Sequence, residues 1–238
     1  MTNVNTLIEG AKTLGIGLVE DEVYNFSLYK ELLKEWNQKI NITSITDDVE
    51  IDIKHFIDSL TPFNTNLFKK DIKIIDIGTG GGFPGIPLKI VNKDMEVVLL
   101  DSLNKRINFL NEVIKRLKLK NIVAIHGRAE ELGRNINHRE KYDIAISRAV
   151  ASLNTLSEYS IPFVKVGGYF ISMKGPDVDG ELKDAERGIK ILGGKVKDVK
   201  KINLPLSDIT HSLIIIEKIK ETPTKYPRGG GKPKKNPL

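Results

Sequence analysis

The chain has no cysteine. That excludes a disulfide framework, a thiolate metal site and a thiol nucleophile. It has four histidines, all scattered, so no metal-ligand spacing is present and no metal is expected. No apolar run reaches the length of a membrane span, so no membrane partner is expected. The opening Met1-Thr2-Asn3-Val4-Asn5 lacks the basic and apolar regions of a signal peptide, and a soluble cytoplasmic protein is the expectation. No glycine run continues into Gly-Lys-Ser/Thr, which excludes a Walker-type phosphate loop. There is no internal repeat and no linker long enough to set off a second compact domain.

What is present is one core's worth of apolar sequence and an uneven charge. With 238 residues, 40% of them hydrophobic, the chain can bury one sizeable core. Residues 1–70 carry 7 Lys and 11 acidic residues, a net −4, which leaves +10 for residues 71–238 out of the total of +6. Any single charge run reads as a solvated face, but the asymmetry favours a polyanionic partner, because phosphate neutralisation supplies most non-specific nucleic-acid affinity.

The organising stretch is 73–88. A short apolar strand over 72–77 breaks into a glycine run and then a helix start carrying Pro84 and Pro87. Strand, glycine loop and helix form a site for a nucleotide-like ligand. Gly80-Gly81-Gly82-Phe83-Pro84-Gly85 satisfies the dinucleotide fingerprint, which is weak evidence alone. Asp76, two residues before Gly78, discriminates. A carboxylate there would repel a pyrophosphate and suits a ligand with an amino group, such as S-adenosylmethionine (SAM); alternatively it fastens the loop through backbone N–H groups. The next strand, over 95–100, ends in Asp101, placed to hold a ribose diol in either a SAM or an NAD site.

Residues 1–60 read as helical. Val23, Phe26, Leu33, Trp36 and Ile40 recur at mostly helical spacing, which makes Trp36 a core residue rather than a base-stacking platform. Asp47 or Asp48 caps a second helix, on which His55 and Asp58 lie one turn apart. They form either a polar constellation at the cleft mouth or a plain hydrogen-bonded pair, and spacing favours the pair.

From residue 71, strands (122–125, 142–147, 169–173, 195–204, 213–216) alternate with helices (from 103, to about 163, 178–192), which predicts an α/β fold with a mostly parallel sheet. Asp76, Asp101, Arg128, Glu130, Arg148 and Lys174 fall at the strand ends where such sheets bind ligands. Three cations beside acidic residues suggest an anionic substrate, although any one of them suits a structural salt bridge.

These residues carry a resemblance. Trp36-Asn37-Gln38-Lys39-Ile40-Asn41, His55-Phe56-Ile57-Asp58-Ser59-Leu60, the stretch 76–88, and Leu99-Leu100-Asp101-Ser102-Leu103-Asn104-Lys105-Arg106 are part of it. So are Gly127-Arg128-Ala129-Glu130-Glu131, Ser147-Arg148-Ala149-Val150-Ala151, Met173-Lys174-Gly175 and Thr222-Pro223-Thr224-Lys225-Tyr226-Pro227-Arg228. Over nearly its whole length the sequence resembles the bacterial small-subunit (16S) ribosomal RNA guanine-N7 methyltransferase family (RsmG/GidB). The resemblance implies a Rossmann-like SAM-dependent methyltransferase core over 71–221 with an N-terminal helical extension over 1–70 packed on it; the Pro, Gly and basic residues of 222–238 make that segment a basic, flexible tail. It puts Gly78, Phe83, Ala129, Glu130 and Arg148 on SAM-contact positions, joining Asp76, Gly80 and Asp101 from the motif reading. Arg128, Arg148 and Lys174 fall on positions linked to activity or RNA binding, with Lys105 and Arg106 beside them. His211 stands where many relatives have Arg, so its charge depends on pH. Gly229-Gly230-Gly231 is looser than relatives show.

Guanine N7 has a free lone pair, so its methylation removes no proton and needs no base; the enzyme has to align reactants and exclude water, and orientation of that kind contributes roughly 7–11 kcal/mol in favourable cases. Cytosine C5 chemistry through a cysteine is excluded, and the Asn/Asp-Pro-Pro-aromatic motif of adenine-N6 enzymes is absent at Ser147-Arg148-Ala149. Arg148 is expected between SAM and guanine, orienting both; the structural alternative bonds it to Glu130 or Asp101. The tail holds five basic and no acidic residues, among them Lys225 and Arg228, and is expected to track 16S rRNA phosphates. A monomer is expected. Two rival readings remain at this point: a non-catalytic RNA-binding or ribosome-assembly factor that retains SAM, and an NAD-dependent oxidoreductase.

Overall fold

The computed structural model describes residues 5–148 and 151–238. The first four residues, and Ala149 and Val150 of the 147–151 motif, lie outside the described residues.

Among the described residues seven strands form one sheet: β1 (Lys73–Ile77), β2 (Glu96–Asp101), β3 (Ile122–His126), β4 (Tyr142–Arg148), β5 (Val164–Lys174), β6 (Gly194–Asn203) and β7 (Thr210–Lys218). Their order is β3-β2-β1-β4-β5-β7-β6. Pairing is parallel from β3 through β5, and β7 runs antiparallel to both β5 and β6. The central strands β1 and β4 are apolar on both faces, as strands covered by helices on both sides must be. The order reverses between β1 and β4, and ligands of open α/β sheets bind at such a switch point, beyond the carboxyl ends of the strands.

Strand positions agree with the sequence reading to within a few residues except at β5. That strand begins at Val164 and runs through Gly167-Gly168 rather than starting after them. The register slips opposite Tyr142/Ile144, and Gly167 takes φ +84°, so the glycines make an irregularity inside the strand.

The N-terminal helices α1 (Asn5–Thr13) and α2 (Glu20–Ile40) lead to a third helical stretch. It runs through α3 (Asp48–Ile51), a π-helical segment (Asp52–Ile57) and α4 (Asp58–Leu60) into a 3₁₀ turn (Thr61–Thr65). Asp47 caps it, accepting from the Val49 and Glu50 amides. Phe26, Tyr29 and Leu33 of α2 are fully buried and share one apolar cluster with Phe56, with Ile86 and Leu88 of the helix over 85–91, and with Leu99 of β2. Each such side chain contributes roughly 1.5–3 kcal/mol. Trp36 is half-buried and packs on Phe109, 5.8 Å between ring centroids. A buried ion pair, Lys30 to Asp52 at 2.6 Å, fastens α2 to the π-helical segment. Segments of π-helix frequently occur at functional sites.

The helices of the α/β part are α5 (Gly85–Val91), α6 (Asn104–Arg116), α7 (Ala129–Leu132), α8 (Leu153–Ser160) and α9 (Asp179–Ile191). The tail departs from expectation. It is docked rather than free, and ends in a short α10 (Lys232–Lys235). Arg228 forks onto Glu158, which is fully buried, at 2.7 and 3.0 Å. Arg134 and Arg139 donate to the carbonyls of Pro227, Tyr226 and Thr222. Buried Lys218 joins Glu140 to the Thr222 hydroxyl. Composition reports none of this, because Glu158, Arg134 and Arg139 lie 70 or more residues away from their tail partners in the chain.

Arg228→Ala leaves the Glu158 carboxylate buried without its cation. The expected loss is about 3–5 kcal/mol, read as a lower urea midpoint, together with faster proteolysis within 222–238.

Candidate functional site

The glycine loop after β1 is held by two buried carboxylates. Asp76 Oδ2 accepts from Thr79 Oγ1 at 2.7 Å and from the Gly85 amide at 2.9 Å. Asp101 Oδ2 accepts from the Gly80 amide at 2.9 Å, and its Oδ1 from the Leu103 amide at 2.9 Å. Glycine is required where the chain is tightest: Gly82 has φ +96°, and a Cβ on Gly85 would sit 2.4 Å from Leu99 Cδ2. From the other side the Tyr29 hydroxyl donates to the Gly81 carbonyl, so α2 grips the same loop. Both functions weighed for Asp76 therefore have a basis. One oxygen fastens the loop, while Oδ1 is buried with no partner. Burial raises the Asp76 carboxyl to about 6.

Three clefts open along the carboxyl ends of the strands. One of about 160 Å³ is lined by Asp101, Ser102, Arg128, Ala129, Glu130 and Tyr159, with Gly78 at its edge. A second, about 380 Å³, shares Gly78, Asp101 and Ser102 with the first and continues along Gly80, Gly81 and Phe83 to Thr43, His55, Arg106 and Arg148. A third, about 320 Å³, shares His55 and Arg148 with the second and is walled by Lys54, Asp58, Met173, Lys174, Gly175 and His211. The first two form one groove over the glycine loop. The third is the cationic one.

Arg148, at the end of β4, is the hinge between the second and third clefts. Its Nη1 donates to Asp58 Oδ2 at 2.8 Å and to the Lys54 carbonyl at 3.1 Å, and its guanidinium lies 5.0 Å from the Phe83 ring centroid. The partner is thus neither Glu130 nor Asp101, as the structural alternative had it, but a carboxylate 90 residues away on the N-terminal extension. His55 stacks on Phe83, 4.6 Å between centroids. Arg148 Nη2 faces His55 Nδ1 at 3.3 Å, and a guanidinium only donates, so Nδ1 accepts and Nε2–H donates to Thr43 Oγ1 at 2.8 Å. Burial and then the Arg148 charge push the imidazole down to about 4, which keeps it neutral. His55 and Asp58 are the polar constellation rather than the surface or half-buried hydrogen-bonded pair that spacing favoured: both are buried and line the cleft, His55 from the π-helical segment and Asp58 from the start of α4.

Lys174 reaches the Ala151 carbonyl and Glu181, the latter at 2.8 Å. Arg128 is in a different cleft from Arg148 and Lys174, exposed, 3.8 Å from the largely buried Glu130. Arg106 leans on Asp101 at 3.3 Å, and Lys105 is exposed at the start of α6. His211 Nδ1 bonds Asp58 Oδ1 at 2.7 Å. Lys225 is exposed with its ammonium over Tyr226, whereas Arg228 is engaged with Glu158. Sequence reasoning missed Tyr29, Ile42, Thr43 and Lys54. The available signal was Asn37, whose side-chain oxygen accepts from the Ile42 and Thr43 amides and folds that turn back over the loop.

The donor set fits SAM. The groove over the loop is long and polar, Asp101 and Glu130 stand on its walls, and a buried carboxylate oxygen with no partner lies under the loop. Among the described residues no His/Asp/Glu group suits a metal ion, and no helix is long and apolar enough to cross a membrane.

Comparison with known proteins agrees. Solved structures of like fold include Methanococcus jannaschii TYW2 in complex with AdoMet (TM-score 0.52, 19% identity, 68% of this chain and 77% of that one). Another is the fibrillarin pre-rRNA processing protein of the same organism (TM-score 0.51, 21% identity, 64% and 69%). At such identities they show the Rossmann-like methyltransferase fold alone. Among sequences, the ribosomal RNA small subunit methyltransferase G of Alkaliphilus metalliredigens is 52% identical over 98% of this chain and 97% of its own length. That of Acetivibrio thermocellus is 55% identical over 98% and 95%. The family profile described as "GidB: rRNA small subunit methyltransferase G" matches residues 22–210. On these matches, and with the groove and cationic cleft in place, the chain belongs to the ribosomal RNA small subunit methyltransferase G family.

Proposed function

We propose that this protein transfers the methyl group of SAM to N7 of a guanine in 16S rRNA of the small ribosomal subunit, acting as a monomer in the cytoplasm. The observation that carries the reading is Arg148, one side chain shared by the groove over the glycine loop and by the cationic cleft.

In this reading Gly78, Gly80, Phe83, Asp101, Ala129 and Glu130 hold the cofactor, and Asp76 supplies the negative charge for its ammonium group. When bound, SAM supplies a methyl group on a sulfonium, already activated for transfer. Arg148 stands where cofactor and base meet. Its fork offers donors suited to guanine O6, which leaves N7 free. Lys174, Lys54 and His211 line the side that faces RNA, and Arg128, Lys105, Arg106 and Lys225 extend the positive surface. No proton has to leave guanine N7, and the groups here suit that: His55 is neutral and committed to Thr43 and Arg148. The chain's contribution is alignment and exclusion of water. An NAD reading loses support, because the family matched over residues 22–210 is a methyltransferase family.

Incubation with labelled SAM and unmodified small-subunit rRNA, naked or as particles, is expected to place label in 7-methylguanosine after digestion to nucleosides. Measurable SAM binding with no label in either substrate would leave the assembly-factor reading. Arg148→Lys keeps the charge and loses the fork, and is expected to lower kcat/KM by about 10²-fold; a wild-type rate would remove Arg148 from the reaction.

The Asp76 carboxyl gives a pH signature. Between its ordinary 3.8 and about 6 the folded apo protein holds a proton that the unfolded chain has released, so apo stability falls as pH rises through that window. A cationic ligand favours the ionised form. Calorimetric affinity for S-adenosylhomocysteine should therefore rise with pH up to about 6 and then level off, with the rise absent in Asp76→Asn.

A further inference from the structure

Asp58 is buried, and both of its oxygens are engaged by groups from other parts of the fold. Oδ2 takes Arg148 from β4 at 2.8 Å, and Oδ1 takes His211 from β7 at 2.7 Å. The carboxylate itself stands at the start of α4, directly after the π-helical segment. All three line the cationic cleft. We infer that Asp58 is a positioning residue that fixes Arg148 between the two clefts, and that His211, bonded to the same carboxylate, sets the net charge of the cleft that faces RNA. The inference rests on the proposed function, because it takes that cleft as the RNA side.

The geometry carries the positioning role. The Lys54 and His55 carbonyls and His55 Nδ1 surround the guanidinium, but among the described residues Asp58 is the only anion bonded to it. Neutral partners cannot replace a charge-assisted bond. The charge role follows by counting. With His211 protonated, one carboxylate meets two cations and a positive charge is left over for phosphate. With His211 neutral, Arg148 and Asp58 cancel. The groups facing His211 are Asp58 and Arg148 on the network, Lys54, His55 and Lys174 around the cleft, and Lys200 of neighbouring β6, which shares its face of the sheet, whereas Lys201 lies on the other face. His55 is neutral, Lys54 is paired with Glu50, Lys174 with Glu181, and Lys200 turns to the Asn64 carbonyl. The hydrogen bond to Asp58 raises the His211 imidazole above its ordinary 6.5, against the opposing effect of burial, so the charged form is favoured at this position.

The test uses the full chain with rRNA fragments and particles lacking native methylation, across about pH 6 to 9. Imidazole NMR should show one histidine titrating above 6.5, assigned to His211 by its loss in His211→Asn, and moving down in Asp58→Asn. KM for RNA should rise with pH in the wild type. The slope of log affinity against log salt should shrink by about one over the same range, as for the loss of one phosphate contact. His211→Arg should remove the pH dependence at the tight-binding end, and His211→Asn should remove it at the weak end. Asp58→Asn should lower kcat by about 10²-fold while S-adenosylhomocysteine still binds.

Because Asp58→Asn leaves Arg148 without its counter-charge and can fail to fold, the His211 variants are run beside it, with melting curves for all. Wild-type pH dependence in His211→Asn, or wild-type kcat in a folded Asp58→Asn, overturns the inference. A wild-type chain that methylates no RNA while His211 titrates as stated overturns the proposed function instead.

Discussion

A buried carboxylate must find hydrogen-bond donors or give up its charge, and this fold uses that constraint to shape its ligand loop. Asp76 and Asp101 end adjacent parallel strands and draw the Thr79 hydroxyl and the Gly80 and Gly85 amides onto themselves. Glycines let the backbone come close enough for this, and Tyr29 closes the loop from the far side. The chain's own hydrogen bonds thus shape the groove, and preorganisation of that kind lowers the ordering cost of binding. The second Asp76 oxygen is left buried without a partner.

The same constraint connects the N-terminal extension to the chemistry. Without the helical stretch 48–60 the groove would lose His55 from its wall and Arg148 would lose its counter-ion. The extension is held by apolar packing of α2 and by the buried Lys30–Asp52 pair, so its position is tied to the core. A site that works by alignment needs such stiffness, since a displacement of about 1 Å can cost 10²-fold in rate. The cations around it divide by their partners. Arg148, Lys174 and Arg228 are bonded to carboxylates, whereas Lys105 and Lys225 are exposed, one at the start of α6 and the other on the docked tail.

Much of the fold was legible locally. Alternation of short apolar strands with amphipathic helices gave the parallel sheet, because strand and helix periods are written in neighbouring residues. Asp76, the glycine run and Asp101 could be read as a nucleotide-type site for the same reason: strand end, loop and helix start are contiguous. The Gly167-Gly168 pair misled, since glycine marks a loop and an in-strand irregularity equally well. The tail misled more, because its composition is that of a free segment while Glu158, Arg134, Arg139 and Lys218 wait for it on the core.

The sequence by itself determined the fold class, the cofactor loop and the family, since these rest on contiguous motifs and local periodicity. Only the tertiary structure decided that Arg148 pairs with Asp58 rather than Glu130 or Asp101, that His211 shares that carboxylate, that Arg128 stands apart from Lys174, and that the tail is docked. Those are charge pairings across 70 to 153 residues of chain. A linear sequence shows which charges exist, but which ones meet depends on how helices and strands pack, and burial then decides how strongly each pair acts.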